Sequence, residues 1–253
     1  MIRDSVADAN GNFAATFVRL SDHSSTGGSH TVGDVTAVSS GFEIPFFNRV
    51  FVFTSPARDD LAAAVEWMVA RGDPFLVTVA DTALPATKPL ASDFGLESTG
   101  DTQPGMVLPS LDEIPNSDDR VDIEAVTDTE GLATFAEISA ATFEMPLGIA
   151  SEAMPESTLS EETLEPLLAR VDGVPVGCGL LARSDDIAGV YTIGVLEEYR
   201  RRGIGEALTW GVLRAGREAG CEVGILQSSQ LGYSVYEKMG FETIVEYHQF
   251  HPA

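Results

Sequence analysis

Between residues 195 and 208 the sequence runs VLEEYRRRGIGEAL. An apolar, β-branched stretch ends, three arginines follow, and two glycines open what the apolar spacing predicts is a helix. A helix N-terminus presents backbone N–H groups without intrahelical acceptors and about half a positive charge, which makes it a ready anion site. Gly203 and Gly205 let an anion approach the backbone where a Cβ would obstruct it. Arg200, Arg201 and Arg202 stand together in a chain with only 15 Lys plus Arg against 39 acidic residues and a net charge of −24. A solvated turn is the plainer alternative, and it gives no reason for the clustering. A nucleoside-triphosphate loop needs GxxxxGK[ST], and no lysine lies here. The dinucleotide fingerprint GxGxxG fails at Leu208, where its third glycine should stand. What fits is Arg-x-x-Gly-x-Gly, from Arg200 to Gly205, directly after a strand.

A second motif completes the pattern. After TIGVLEEYRRRGIGEAL (192–208) come GILQSS (224–229) and YSVYEKMGFE (233–242). Together these resemble the GCN5-related N-acetyltransferase (GNAT) superfamily, over about residues 121–253. The resemblance implies acetyl-CoA as co-substrate and no metal. It implies that backbone amides of Arg200, Arg201, Arg202, Gly203, Ile204, Gly205 and Glu206 wrap the pyrophosphate, and that Ile193, Gly194 and Val195 hydrogen-bond the pantetheine and the acetyl carbonyl. Ser229 stands where many relatives carry an asparagine facing the cofactor, and Glu197 replaces a proline common there. Tyr236 lies four residues before the glycine of Gly240-Phe241, the position whose phenol protonates the departing thiolate in resembling enzymes. A phenol of pKa about 10 stays neutral at rest and donates to an incipient thiolate of pKa about 8.5. A core tyrosine packed under the closing strand is the alternative. The attacking amine must be deprotonated, and Glu144 is the candidate base because its segment should border the acceptor site in this fold. A solvated acid would look the same in sequence.

The elements that must position these residues alternate between strands and helices. Residues 121–126, 164–171, 174–182, 187–196, 222–226 and 241–247 read as strands, with Asp172-Gly173 as a hairpin turn. Residues 131–143, 203–219 and 231–239 read as helices, Gly220 stopping the second. Hairpin and crossover relations together predict a mixed β-sheet packed by helices, an α/β (α+β layered) domain. Residues 106–122, with Pro109, Pro115 and several acids, read as a linker. Before it the same order recurs faintly: strand 49–53, helix 59–70, strand 75–79, a weak helix, then Phe94-Gly95-Leu96-Glu97. We read an internal duplication, two GNAT-like domains in tandem at 1–115 and 116–253; a shared βαβ rhythm without common origin is the alternative. The first copy carries Asp59 and Asp60 where anion donors are required and Ala91 where the tyrosine would stand, so it is expected to be degenerate.

Composition bounds the rest. So acidic a chain should repel nucleic-acid phosphates and anionic membranes, and no run of about 20 apolar residues could span a bilayer. The start, MIRDSVADANGNF, has no basic n-region or apolar core. Cys178 and Cys221 form no disulfide framework and read as small core residues, so a reducing cytoplasm is expected. Only Lys88 and Lys238 are lysines, the other thirteen basic residues being arginines, a surface expected of a protein working in concentrated salt. His23, His30, His248 and His251 show no metal spacing. Residues 26–33, Gly-rich without a clear helix behind them, read as a flexible turn. The expected partner is a small-molecule or peptide amine, with a homodimer left open. A non-catalytic acyl-CoA-binding regulatory module is the rival function; retention of Tyr236 favours the enzyme.

Overall fold

A computed structural model describes residues 5–115 and 120–253. In chain order the elements are α1 (Ser5–His23), β1 (Gly28–Val32), β2 (Val35–Ser39), β3 (Arg49–Val52), α2 (Arg58–Arg71), β4 (Leu76–Ala80), α3 (Leu84–Asp93) and β5 (Leu96–Leu108). There follow β6 (Asp122–Ala125), α4 (Thr129–Phe143), α5 (Leu147–Ala153), β7 (Leu164–Val171), β8 (Val174–Ser184), β9 (Ile187–Val195), α6 (Ile204–Glu218), β10 (Val223–Gln227), α7 (Tyr233–Lys238) and β11 (Glu242–Pro252). The chain divides into two compact units, residues 1–105 with 243–253, and residues 106–242.

The first unit is a mixed sheet in the order β1-β2-β3-β4-β11-β5. β1 and β2 form an antiparallel hairpin, β3 runs parallel to β4, and β11 returns antiparallel to β4 with Tyr247 opposite Ala80. α2 buries Leu61, Ala64, Val65 and Met68, the i, i+3, i+4, i+7 stripe of an amphipathic helix. α1 lays Phe13 and Phe17 against Phe51, with ring centroids 5.0 and 5.6 Å away. Buried among these rings, the Arg49 guanidinium stacks 4.8–5.7 Å from Phe13, Phe17 and Phe46 and donates to the Phe46 carbonyl, Thr78 and Gln249. Residues expected to form a flexible turn contain β1, and Gly33 makes the tight turn of the hairpin at φ 52°.

The second unit orders its strands β10-β9-β8-β7-β6, with β10 parallel to β9 and the rest antiparallel. The Asp172-Gly173 turn has both residues at positive φ (51° and 78°), matching the right-handed twist of the β7–β8 hairpin. α6 packs Ile204, Leu208, Val212 and Leu213 into the core, where they meet Leu181, Val190 and Phe241. In chain order, β1 to β5 with α2 and α3, and β7 to β11 with α6 and α7, each run hairpin, strand, helix, parallel strand, helix, strand. The last of these strands in the second run lies in the first unit's sheet. The four glycines that suggested duplication, Gly72, Gly95, Gly220 and Gly240, all adopt left-handed backbone.

Two expectations of organisation need correction. Residues 106–122 are not a linker throughout: Met106, Leu111 and Ile114 are buried in the second unit's core. The prolines that suggested a linker flank a short loop, and apolar residues between them are spaced to reach inward; residues 116–119 lie outside the described residues. The strand expected at 241–247 to close the second domain lies, from Thr243 on, in the first unit.

Candidate active site

β9 carries a bulge. Leu180 pairs with Tyr191 and Cys178 with Gly194, so Thr192 and Ile193 together oppose Gly179. Thr192 absorbs the extra residue at φ 52°, and its carbonyl accepts from the Cys178 thiol at 3.6 Å. Gly179 leaves room for this: a Cβ there would meet Ile193 Cδ1 at 2.9 Å. The parallel register of β9 with β10 runs from Ile187↔Val223 to Val190↔Leu226, while β9 itself continues to Val195. The backbone of Ile193, Gly194 and Val195 thus lies past the stretch paired with β10, re-aimed by the bulge, while Gly194 and Val195 stay in register with Cys178 and Gly177 of β8.

After β9 the chain makes one 3-10 turn over Glu197–Tyr199 and reaches α6 through Arg201 and Gly203, both left-handed at φ 60° and 80°. A Cβ on Gly203 would meet nothing within 4 Å, so the space over the helix start is open. Ile204, 2% exposed, anchors the first turn in the core, while Glu206 faces solvent. The three arginines divide their work. Arg200 Nε donates to the Val195 carbonyl at 2.9 Å, tying the loop to the end of β9. Arg202 Nη2 donates to the Glu198 carbonyl at 2.9 Å and stacks over Tyr199 at 5.2 Å. Arg201 is exposed. The cluster therefore shapes the loop as well as charging it, a role that counting charges in the sequence did not reveal.

Tyr236 projects from α7 into the same core, its ring edge-on to Phe241 with centroids 5.9 Å apart. Burial pushes its phenol up from the ordinary tyrosine value, and a hydrogen bond with the Thr209 side chain works against that rise. Thr209 lies on α6, one turn beyond Gly205, and Tyr236 packs against the core cluster to which α6 contributes Ile204, Ala207, Leu208 and Val212. Ser229 is occupied locally: its hydroxyl and carbonyl both accept from the Gly232 amide at 3.2 Å, and the carbonyl also accepts from Tyr233 at 3.1 Å. It holds the turn into α7. Glu144 ends α4 in left-handed backbone (φ 53°), exposed, its amide bonded to the Ala140 carbonyl. Two residues earlier, Thr142 lies against Gly194, where a Cβ would meet Thr142 Cγ2 at 3.0 Å. That contact puts the α4 terminus on β9, while Tyr236 reaches the site through α6.

Sequence reasoning missed Thr192, Thr209 and Thr142. A threonine inside a strand gives no sign of a left-handed bulge, and the other two matter only through tertiary contact. Cys178 is buried and its thiol is pushed up to about 12 by burial, against a backbone hydrogen bond that lowers it. Among the described residues no group of three or more His, Cys, Asp and Glu could hold a metal.

In the first unit the corresponding helix, α2, begins with Asp59 and Asp60 in its first turn. A Cβ on Gly33 would strike the Asp60 carboxylate, at 2.1 Å from Oδ2, so that carboxylate packs against the turn of the β1–β2 hairpin. Ala91 is buried and offers no acid.

Residues 132–241 match the acetyltransferase (GNAT) family model. No curated protein matches the chain. Among solved structures, a GCN5-related N-acetyltransferase from Kribbella flavida superposes with a TM-score of 0.70 at 19% identity, over 95% of this chain and 94% of that one. A tandem GNAT protein from the clavulanic acid biosynthesis pathway gives 0.63 at 13% identity, over 98% and 96%. A GCN5-related N-acetyltransferase from Sphaerobacter thermophilus gives 0.63 at 16%, over 86% and 76%. The chain thus has the mixed α/β GNAT fold, of a length and order that fit a tandem arrangement, and its second unit carries the family's sequence pattern.

Proposed function

We propose that this protein is an acetyl-CoA-dependent N-acyltransferase whose second unit binds the thioester and whose first unit binds none. The observation that carries the reading is the combination in one core: α6 opens at an unobstructed Gly203 and buries its apolar face in the same cluster against which the half-buried Tyr236 packs. The residues fit acetyl-CoA. An open first turn with unpaired amides suits a pyrophosphate, and the bulged end of β9 offers backbone donors and acceptors to an extended amide-bearing arm. When bound, the group supplies an acetyl thioester whose carbonyl carbon accepts the amine. The chain's own residues do the rest. Amides of the α6 turn hold the anion, and a backbone N–H of residues 193–195 steadies negative charge on the acetyl oxygen. Tyr236, kept neutral by burial, holds the proton that the leaving sulfur needs. Glu144, at the end of the helix that packs on Gly194, is our candidate to take the amine's proton.

Thirteen arginines, two lysines and 39 acids support a salt-adapted protein, because at about 1 M salt the Debye length of roughly 3 Å screens surface carboxylates from one another. Two free, buried cysteines support a reducing compartment; no helix among the described residues is long and apolar enough to cross a membrane. The test is CoA release from acetyl-CoA across a panel of small amines and amino-terminal peptides, with acetyl-CoA binding followed by calorimetry. One binding event per chain and turnover on an amine are expected. Binding without turnover on any acceptor would replace the enzyme with an acyl-CoA-binding module.

A further inference from the structure

Arg49 is 2% exposed, and its hydrogen-bond partners among the described residues are all neutral. Nε donates to the Phe46 carbonyl at 3.0 Å, and Nη1 to Thr78 Oγ1 at 2.8 Å and Gln249 Oε1 at 3.3 Å. No carboxylate among the described residues pairs with it. Burial draws its pKa down to about 10, so it is still a cation at neutral pH. A buried charge without a counter-charge is costly, and the faces of Phe13, Phe17 and Phe46 offset only part of that.

The surrounding donors are incompletely used. Nη2 of Arg49 donates to nothing among the described residues. Gln249, 7% exposed, spends its carbonyl on Arg49 and on the Thr78 hydroxyl 2.9 Å away, which fixes the other end of its amide as the nitrogen. That Nε2 is buried and has no partner either. Thr16, on the face of α1 that carries Phe13 and Phe17, is fully buried with its hydroxyl unpartnered. Native structures satisfy nearly all such groups, so this side of the first unit's sheet calls for an acceptor that its own residues do not supply. The acceptor must also bring negative charge.

We propose that Arg49 and Gln249 hold a single halide ion, chloride in ordinary salts, within the first unit between α1 and the sheet. One negative charge balances one guanidinium, whereas a divalent oxyanion would leave net charge buried and cost more to desolvate. Among phenyl rings centred 4.8–5.7 Å from the guanidinium carbon, a monatomic ion needs the least room. Nη2 and Nε2 are its charge-assisted and neutral donors, and Thr16 adds a hydroxyl from the helix. Arg49 and Gln249 lie 200 residues apart in sequence, so only the folded chain brings them together to bind the ion.

The test follows Tm of the full chain as chloride replaces gluconate at constant potassium. A ligand bound only by the folded state stabilises it with the logarithm of concentration above Kd, so the wild-type Tm should rise by roughly 3–6 °C per tenfold increase in chloride. Gln249→Glu keeps an acceptor for Arg49 and Thr78 and puts a fixed carboxylate oxygen where Nε2 stood. Its Tm should lose that chloride response. Both chains meet the same solvent, so the difference between their slopes cancels general effects of the salts. Equal slopes would overturn the proposal. Bromide provides a readout that needs no variant: crystals of the wild type grown in bromide should show an anomalous peak at hydrogen-bonding distance from Arg49 Nη2 and Gln249 Nε2. Ordered side chains with no such peak refute the site, even in a protein that chloride stabilises from elsewhere.

Discussion

Gly205 separates two reasons for keeping a glycine. It is the second residue of α6, its φ is not positive, and a Cβ there would touch only Val195 Cγ2, at 3.8 Å, an ordinary contact. Nothing in the chain itself asks for glycine. Alanine in a helix is worth about 0.5–1 kcal/mol over glycine, and the helix-end position puts Gly205→Ala at about 0.5 kcal/mol of added stability. For a domain of this size that is a rise in Tm of about 1–2 °C. Acetyl-CoA affinity should move the other way. A methyl group on the anion's face of the first turn would hold a phosphate oxygen off the amides, and a hydrogen bond to a charged oxygen is worth about 1.5–3 kcal/mol, or roughly 10- to 150-fold in Kd. Calorimetric unfolding and acetyl-CoA titration in the same buffer and salt measure both. A stabilised variant that binds acetyl-CoA as tightly as the wild type would show that no anion approaches this turn, and the proposed cofactor loop would fall with it.

Tyr236→Phe should lower kcat by about 10²- to 10⁴-fold with acetyl-CoA binding intact, as steady-state rates and titration together would show. Glu144→Gln should depress kcat/KM for the amine at least about tenfold and leave acetyl-CoA affinity alone, if the carboxylate takes the amine's proton. The buried Cys178 thiol, raised in the folded state to about 12, binds a proton there that the unfolded chain releases near pH 9. Its contribution to stability is therefore complete below about pH 8.5 and declines above it, by about 1.4 kcal/mol per pH unit while only the unfolded state ionises. Urea unfolding of wild type and Cys178→Ala at pH 8 to 10 would show a slope present in the first and reduced in the second. Multimolar KCl should raise Tm over dilute buffer, and the reverse order would remove salt adaptation from the account.

Much of the second unit was legible because its elements announce their own ends. Asp172-Gly173 fixed a hairpin, Gly220 a helix stop, and the apolar stripe from Ile204 to Val212 a buried helix face. The loop was visible for a similar reason, since Arg200 through Gly205 are types and spacings with local meaning. What stayed hidden was decided at a distance. α1 carries Asn10, Gly11 and Asn12 in succession, residues poor at forming helices; only the sheet receiving Phe13 and Phe17 makes it a stable helix. The bulge at Thr192 exists because Gly179 across the strand leaves space for Ile193. The use of Arg200 and Arg202 as props for their own loop depends on carbonyls whose direction no spacing rule gives.

The place of β11 has a consequence for how the protein is made. In the first unit's sheet it lies between β4 and β5, pairing Tyr247 with Ala80, and the Tyr247 hydroxyl reaches Asn10 in α1 at 2.7 Å. An interior strand of the earliest-translated unit therefore leaves the ribosome after every residue of the second. The usual advantage of sequential synthesis, in which an amino-terminal domain settles before its successor appears, is withheld. Until residues 243–253 emerge, β4 and β5 each carry an edge awaiting a partner, the condition under which nascent sheets recruit the wrong strand. The same ordering means that a fragment ending near residue 115 is a sheet with its middle missing, and its behaviour would report on the truncation instead of on the unit.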